Sequence, residues 1–133
     1  MIRRIEHTTI TVSDLERSVK FYTTLLGFVV DHEMWIPESR LRIVFLRLGD
    51  TMLELFGVAE CHGTMVSDVN EIIGYKHICL QVDSVDEEYE RLVAAGVRFR
   101  ITPVNVQNVR IAFFQDPDGL DIELIQSLEK VPL

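Results

Sequence analysis

Four side chains in this sequence have the types and spacing of a metal centre: His7, Glu54, His77 and Glu123. They come as two matched pairs, because the sequence repeats itself. Shifted by 70 positions, His7-Thr-Thr-Ile-Thr-Val12 falls on His77-Ile-Cys-Leu-Gln-Val82. At an offset of 69, Met52-Leu-Glu54-Leu-Phe56 falls on Asp121-Ile-Glu123-Leu-Ile125. A repeated unit places equivalent residues at equivalent sites, so two His/Glu pairs related by a pseudo-twofold can converge on one point. Two imidazoles and two carboxylates form a ligand set for one divalent cation. Nitrogen and oxygen donors in equal number, with positions left for water or substrate, suit octahedral Ni²⁺, Co²⁺, Mn²⁺ or Zn²⁺.

The elements that must hold these residues also occur twice. Ile5 to Val12 alternates apolar and polar residues and reads as a strand. Ser13 or Asp14 is a suitable N-cap for a helix from Leu15 to Leu26, whose Leu15, Val19, Tyr22 and Leu26 form one apolar face. Gly27 stands where a left-handed glycine would end it. Strands are expected at about 28–34, 41–48 and 51–57. The second unit repeats the order: a strand at 76–82, a helix from Ser84 or Asp86 to Gly96, then strands at about 97–101, 109–115 and 120–126. The last two are joined by the turn Asp116-Pro-Asp-Gly119.

This pattern predicts a single α+β domain over 1–133, built of two tandem βαβββ modules. Module one covers about 1–57, a Gly/Ser/Asn-containing linker about 58–74, and module two about 75–128. The expected arrangement is a curved eight-stranded mixed sheet around the metal site, with the helices outside.

Side-chain alternation sorts each strand into two faces. Ile10 and Val12 oppose His7, Thr9 and Thr11, while Ile78, Leu80 and Val82 oppose His77, Cys79 and Gln81. Leu53 and Leu55 oppose Glu54, and Ile122 and Leu124 oppose Glu123. In all four strands the aliphatic face is the one to bury under a helix, and the opposite face carries the ligand. A glutamate flanked by buried aliphatics is costly unless paired, and a cation would pair it. Thr9, Thr11, Cys79 and Gln81, with Trp35 and Phe56 as apolar wall, are the candidate substrate contacts. His32 and His62 have no counterpart in the repeat and read as surface residues.

Bulk properties narrow the function class. Hydrophobic residues make up 47% and charged residues 26%, as in ordinary globular proteins. A net charge of −8 argues against a nucleic-acid binder, which needs a basic surface. No apolar run reaches the roughly 20 residues of a membrane span. Met1-Ile-Arg-Arg-Ile enters a strand pattern without a signal core, and Cys61 and Cys79 make no disulfide framework, so a cytoplasmic protein is expected.

The stretches His7-Thr-Thr-Ile-Thr-Val-Ser-Asp-Leu-Glu-Arg-Ser-Val-Lys-Phe-Tyr22, Leu26-Gly27-Phe28 and Phe114-Gln-Asp-Pro-Asp-Gly119…Ile122-Glu123-Leu124 resemble the vicinal oxygen chelate superfamily of glyoxalases, bleomycin-resistance proteins and dioxygenases. The His-Glu-His-Glu set is similar to that of bacterial glyoxalase I enzymes. The resemblance implies a metal-dependent lyase or isomerase acting on a small oxygenated molecule. A proton would move through a metal-bound enediolate, with Glu123 as the favoured base and Glu54 able to serve the opposite face. It also implies a homodimer. Thr11 and Val58 stand where glyoxalase I carries an arginine and an asparagine, which leaves the substrate's thiol open. Arg42, Arg47, Arg98, Arg100 and Arg110 are the cations available for an anionic substrate. The alternatives are an Fe²⁺ extradiol-type dioxygenase using His7, His77 and Glu123, and a small-molecule binding or resistance protein without turnover.

Overall fold

A computed structural model of the protein describes residues 1–129. The backbone divides into two compact units, Met1–Gly63 and a second beginning at Thr64. Each contains one helix and one four-stranded mixed sheet.

In the first unit β1 (His7–Val12) leads into α1 (Leu15–Lys20), followed by β2 (Val29–Ile36), β3 (Leu41–Leu48) and β4 (Thr51–Gly57). The sheet order is β1-β4-β3-β2. β2, β3 and β4 form an antiparallel meander, and β4 returns to lie parallel to β1. That parallel pair brings the two ends of the module together, with Thr9 opposite Glu54 and His7 two residues earlier on the same face. Val12, Leu15, Tyr22, Val44, Leu46, Leu53 and Leu55 are buried on the helix side. Gly57 lets α1 approach closely: a Cβ there would meet the Leu15 side chain at 2.9 Å.

Asp14 is the N-cap of α1, its carboxylate accepting the Arg17 N–H at 3.0 Å. The expected helix to Leu26 changes character after Lys20, where Phe21–Leu25 forms a π-helical turn. The Thr23 hydroxyl donates to the Val19 carbonyl at 2.7 Å and so competes for an oxygen of the regular ladder. The wider turn ends at Gly27, whose φ of 78° is open to glycine without cost. It keeps Tyr22 in the core, at right angles to Phe28.

The second unit repeats this order as β5 (His77–Gln81), α2 (Val85–Ala94), β6 (Phe99–Val106), β7 (Val109–Gln115) and β8 (Asp121–Ser127), with sheet order β5-β8-β7-β6. β5 runs parallel to β8, and Cys79 stands opposite Glu123. Ser84 caps α2 through the Glu87 N–H. Val85, Leu92, Ala112, Phe114, Leu120, Ile122 and Leu124 form the core.

The expected α+β architecture of two βαβββ modules is therefore observed, with the eight strands grouped as two four-stranded sheets, one per module. Two local expectations are corrected. β6 continues past 101 to Val106 and through Pro103, because it is an edge strand with register shifts, where a residue lacking an N–H is tolerated. The linker is also not free of the core. Ser67 is buried, donating to the Gly119 carbonyl at 3.1 Å and accepting the Asp121 N–H at 3.0 Å. No helix among the described residues is long and apolar enough to cross a membrane.

Candidate metal centre

Within the first unit, His7 Nε2 lies 3.3 Å from Glu54 Oε1. Within the second, His77 Nε2 lies 3.2 Å from Glu123 Oε1. The two imidazole side chains are equally accessible, at 35% each, while Glu54 and Glu123 retain only 10% and 15%. Each module thus reaches the same local arrangement from different residues in its core. The cause is the parallel strand pair, which sets a histidine and a glutamate on one face two positions out of step.

The glutamate in each pair is also held by the residue directly across the ladder. Thr9 Oγ1 donates to Glu54 Oε1 at 2.5 Å. Cys79, at the matching position, hydrogen-bonds through its thiol to Glu123. Although Cys79 as a residue is open to solvent, desolvation of the thiol, then the Glu123 hydrogen bond and charge, push its pKa up to about 12. It is a proton donor here, not a thiolate. The folded chain keeps a proton that the unfolded chain releases near 9.0, so this group costs stability as pH rises from 9.0 towards about 12. Metal-free protein treated with iodoacetamide at about pH 8 should label Cys61 well before Cys79 by mass spectrometry. Equal labelling rates would contradict this environment.

His7 has a further partner. The Glu6 carboxylate accepts a hydrogen bond from Nδ1, which leaves Nε2 as the outward-facing nitrogen. That bond is the main cause raising the His7 pKa above 6.5. Burial opposes it, and the Glu54 charge adds to it. A cation binding at Nε2 must displace the extra proton, so affinity falls as the solution is acidified.

The chemistry of the donor set fits a divalent cation: an accessible imidazole nitrogen beside a carboxylate oxygen, in duplicate, with a hydrogen bond orienting each carboxylate and one to Glu6 orienting His7. Each module supplies two donors. Among the described residues, no three His, Cys, Asp or Glu side chains gather around one point.

The other expected site residues divide by strand face. Thr9 and Cys79 touch the glutamates, as described. Thr11 and Phe56 pair with each other further along the same face of β1 and β4, and Gln81 pairs with Ile125 in β5 and β8. Trp35 is not brought together with them. Its partner is Arg42, and the regular register of β2 from His32 to Ile36 puts it on the face opposite Glu54. It lines an open depression of about 510 Å³ with Glu33, Met34, Arg42, Ile43 and Val44. Of the five candidate arginines, Arg42 pairs with Glu16, Arg47 with Asp31, Arg100 with Asp121 and Arg110 with Asp86.

Sequence reasoning missed the aromatic floor. Phe45 and Phe113 are the register partners of Glu54 and Glu123 on the adjacent strand, and each meets its module's histidine at a right angle. The signal was available in the repeat, since both lie in the strand preceding the glutamate. His32, expected as a plain surface residue, stacks on Phe45.

Residues 4–124 match the family model described as Glyoxalase/Bleomycin resistance protein/Dioxygenase superfamily. The chain is 35% identical to lactoylglutathione lyase of Salmonella typhimurium over 127 residues, covering 93% of both chains. It is 34% identical to the enzyme of that name from Neisseria meningitidis serogroup A, covering 92% of this chain and 90% of the other. Among solved structures, the trypanothione-dependent glyoxalase I of Leishmania major superposes with a TM-score of 0.75 at 33% identity, covering 94% of this chain and 87% of that one. A glyoxalase family protein from Enterococcus faecalis gives 0.78 at 28% identity, with 93% and 98% covered. By its sequence, its two-module fold and these relatives, the protein belongs to the Glyoxalase/Bleomycin resistance protein/Dioxygenase superfamily.

Proposed function

We propose that the protein is a divalent-metal-dependent, glyoxalase I-like lyase or isomerase that moves a proton between adjacent carbons of a small oxygenated substrate. The observation that carries this reading is the duplicated His–Glu pair, at 3.3 Å in one module and 3.2 Å in the other. His7, Glu54, His77 and Glu123 together make the four-donor set. Since each module holds half of it, the centre needs one module of each kind, from one chain or from two copies in a homodimer. When bound, the cation (Ni²⁺, Co²⁺, Mn²⁺ or Zn²⁺) supplies Lewis-acid polarisation of the substrate oxygens and so acidifies the neighbouring C–H.

The chain's own residues do the rest. A Glu123 oxygen takes the proton from one carbon and returns it to the next, and Glu54 is placed to do the same from its own half of the set. Cys79 donates to Glu123 and Thr9 to Glu54, which fixes the position of each carboxylate. Phe56, Thr11 and Gln81 extend the same faces and form the substrate-contacting surface. The lactoylglutathione lyase relatives support a hemithioacetal of an α-ketoaldehyde as the substrate class.

The test is proton transfer in metal-loaded protein given hemithioacetals of methylglyoxal with glutathione and with other small thiols. Isomerisation to the thioester, with deuterium exchange at the transferred position, is expected with at least one thiol. Absence of exchange with all of them, together with oxygen uptake in the iron-loaded protein, would replace this reading by the dioxygenase one.

A further inference from the structure

Behind each candidate ligand histidine, both modules build the same four-part column, matched at the histidine and phenylalanine but built from non-matching residues in its outer half. In the first, the Asp31 carboxylate holds His32 Nδ1 at 2.6 Å. His32 lies nearly parallel on Phe45, with ring centres 4.4 Å apart and planes 13° apart, and Phe45 meets His7 at 5.3 Å and 88°. In the second, Asp121 holds the Arg100 guanidinium through both carboxylate oxygens. Arg100 sits over Phe113 at 5.3 Å from the ring centre, and Phe113 meets His77 at 5.2 Å and 90°. A carboxylate, a planar cationic or imidazole group, a phenyl ring and the ligand histidine follow one another in both.

The edge strands serve this row. β2 shifts register between Val30 and His32, and β6 between Phe99 and Ile101. The irregularities fall at Asp31 and Arg100, where a bulge re-aims side chains. Direct repetition of sequence does not explain this, because the shift-by-69 partner of His32 is Ile101, not Arg100. In the outer half of the column the two modules reach one arrangement through different residues, which points to a shared demand rather than to packing by inheritance.

We propose that Phe45 and Phe113 are positioning residues that set the ring planes of His7 and His77 for metal binding, and that His32 and Arg100 clamp those two rings in place. The proposal rests on the four-donor reading above. Perpendicular aromatic contact restricts an imidazole more sharply than aliphatic packing does, because the ring quadrupole favours one relative orientation. A histidine free to rotate about its side-chain bonds must lose that freedom when it takes a cation, and one already held does not. In each module the glutamate lies between the phenylalanine and histidine strands, so one rigid patch orients both donors.

The experiment is competition for Zn²⁺ against a chromophoric chelator with intact wild-type protein, Phe45→Leu, Phe113→Leu, Phe113→Tyr and Leu55→Ala. Groups that orient metal ligands typically contribute 10–100-fold in affinity, so each Phe→Leu variant should bind Zn²⁺ about 10–100-fold more weakly. Phe113→Tyr keeps the ring and should bind close to wild type. Leu55→Ala, on the buried helix side of β4, should lower Tm and leave the affinity of the folded protein unchanged. In metal-free protein, histidine NMR should show His7 and His77 averaging between side-chain conformers only in the matching Leu variants. Wild type binding Zn²⁺ while the Phe→Leu variants bind it equally well would overturn the positioning role alone. Failure of wild type to bind any of Zn²⁺, Ni²⁺, Co²⁺ and Mn²⁺ in the same competition would overturn the four-donor reading and this inference with it.

Discussion

At saturating metal and substrate, Glu123→Gln is expected to reduce turnover by about two to four orders of magnitude, the usual contribution of a positioned general acid–base. Glutamine keeps an oxygen donor and nearly the same shape, but it cannot take a proton. The fold should be unaffected: Glu123 is flanked by Ile122 and Leu124 in the core, and its own side chain faces away from them. The companion Glu54→Gln separates two chemistries. A four-donor isomerase should be crippled by it, whereas a three-donor oxygenase built on His7, His77 and Glu123 should change only modestly. Steady-state rates for both variants, corrected for metal content, make the measurement. Turnover of Glu123→Gln above a tenth of wild type would remove Glu123 from the base role.

The largest stability effect from a single polar group is expected at Asp121. The residue is 2% exposed, accepts from Arg100 and Gln115, and donates its backbone N–H to Ser67. Removing one partner of a buried pair costs about 3–5 kcal/mol when the other charge stays buried. The Arg100 side chain is 36% exposed and can turn to water, which places Asp121→Ala lower, at about 2–4 kcal/mol. For a chain of this length that lowers Tm by roughly 7–14 °C. Calorimetry of metal-free wild type and Asp121→Ala measures it, and a shift under about 2 °C would mean that the pair contributes nothing net.

Asp121 also marks how far the sequence could be read. It aligns with Met52 in the repeat, so nothing in the pattern singles it out, although it anchors both the linker at Ser67 and the cation over Phe113. The module order, the helix caps (each as one of two candidates, of which the fold uses Asp14 and Ser84) and the His/Glu faces were legible, because hydrophobic periodicity and capping act within a few residues. The π-helical turn was not, since it depends on where Tyr22 must sit in a packed core. The placement of Trp35 and the stacking of His32 on Phe45 depend on cross-strand register through a bulge, which no local pattern encodes. The strand expected at about 97–101 runs on through Pro103, which falls in a register shift of an edge strand, where its missing N–H leaves no partner unpaired.

The most direct test of the account is metal content. Wild-type protein purified without chelator, or reconstituted with Ni²⁺, Co²⁺, Mn²⁺ or Zn²⁺, should hold about one ion per chain by elemental analysis. His7→Ala and His77→Ala should lose it alike, because in the proposed four-donor centre one histidine from each module serves the same ion. Full occupancy in either alanine variant, or an empty wild type under every reconstitution, would contradict a centre shared by the two His–Glu pairs.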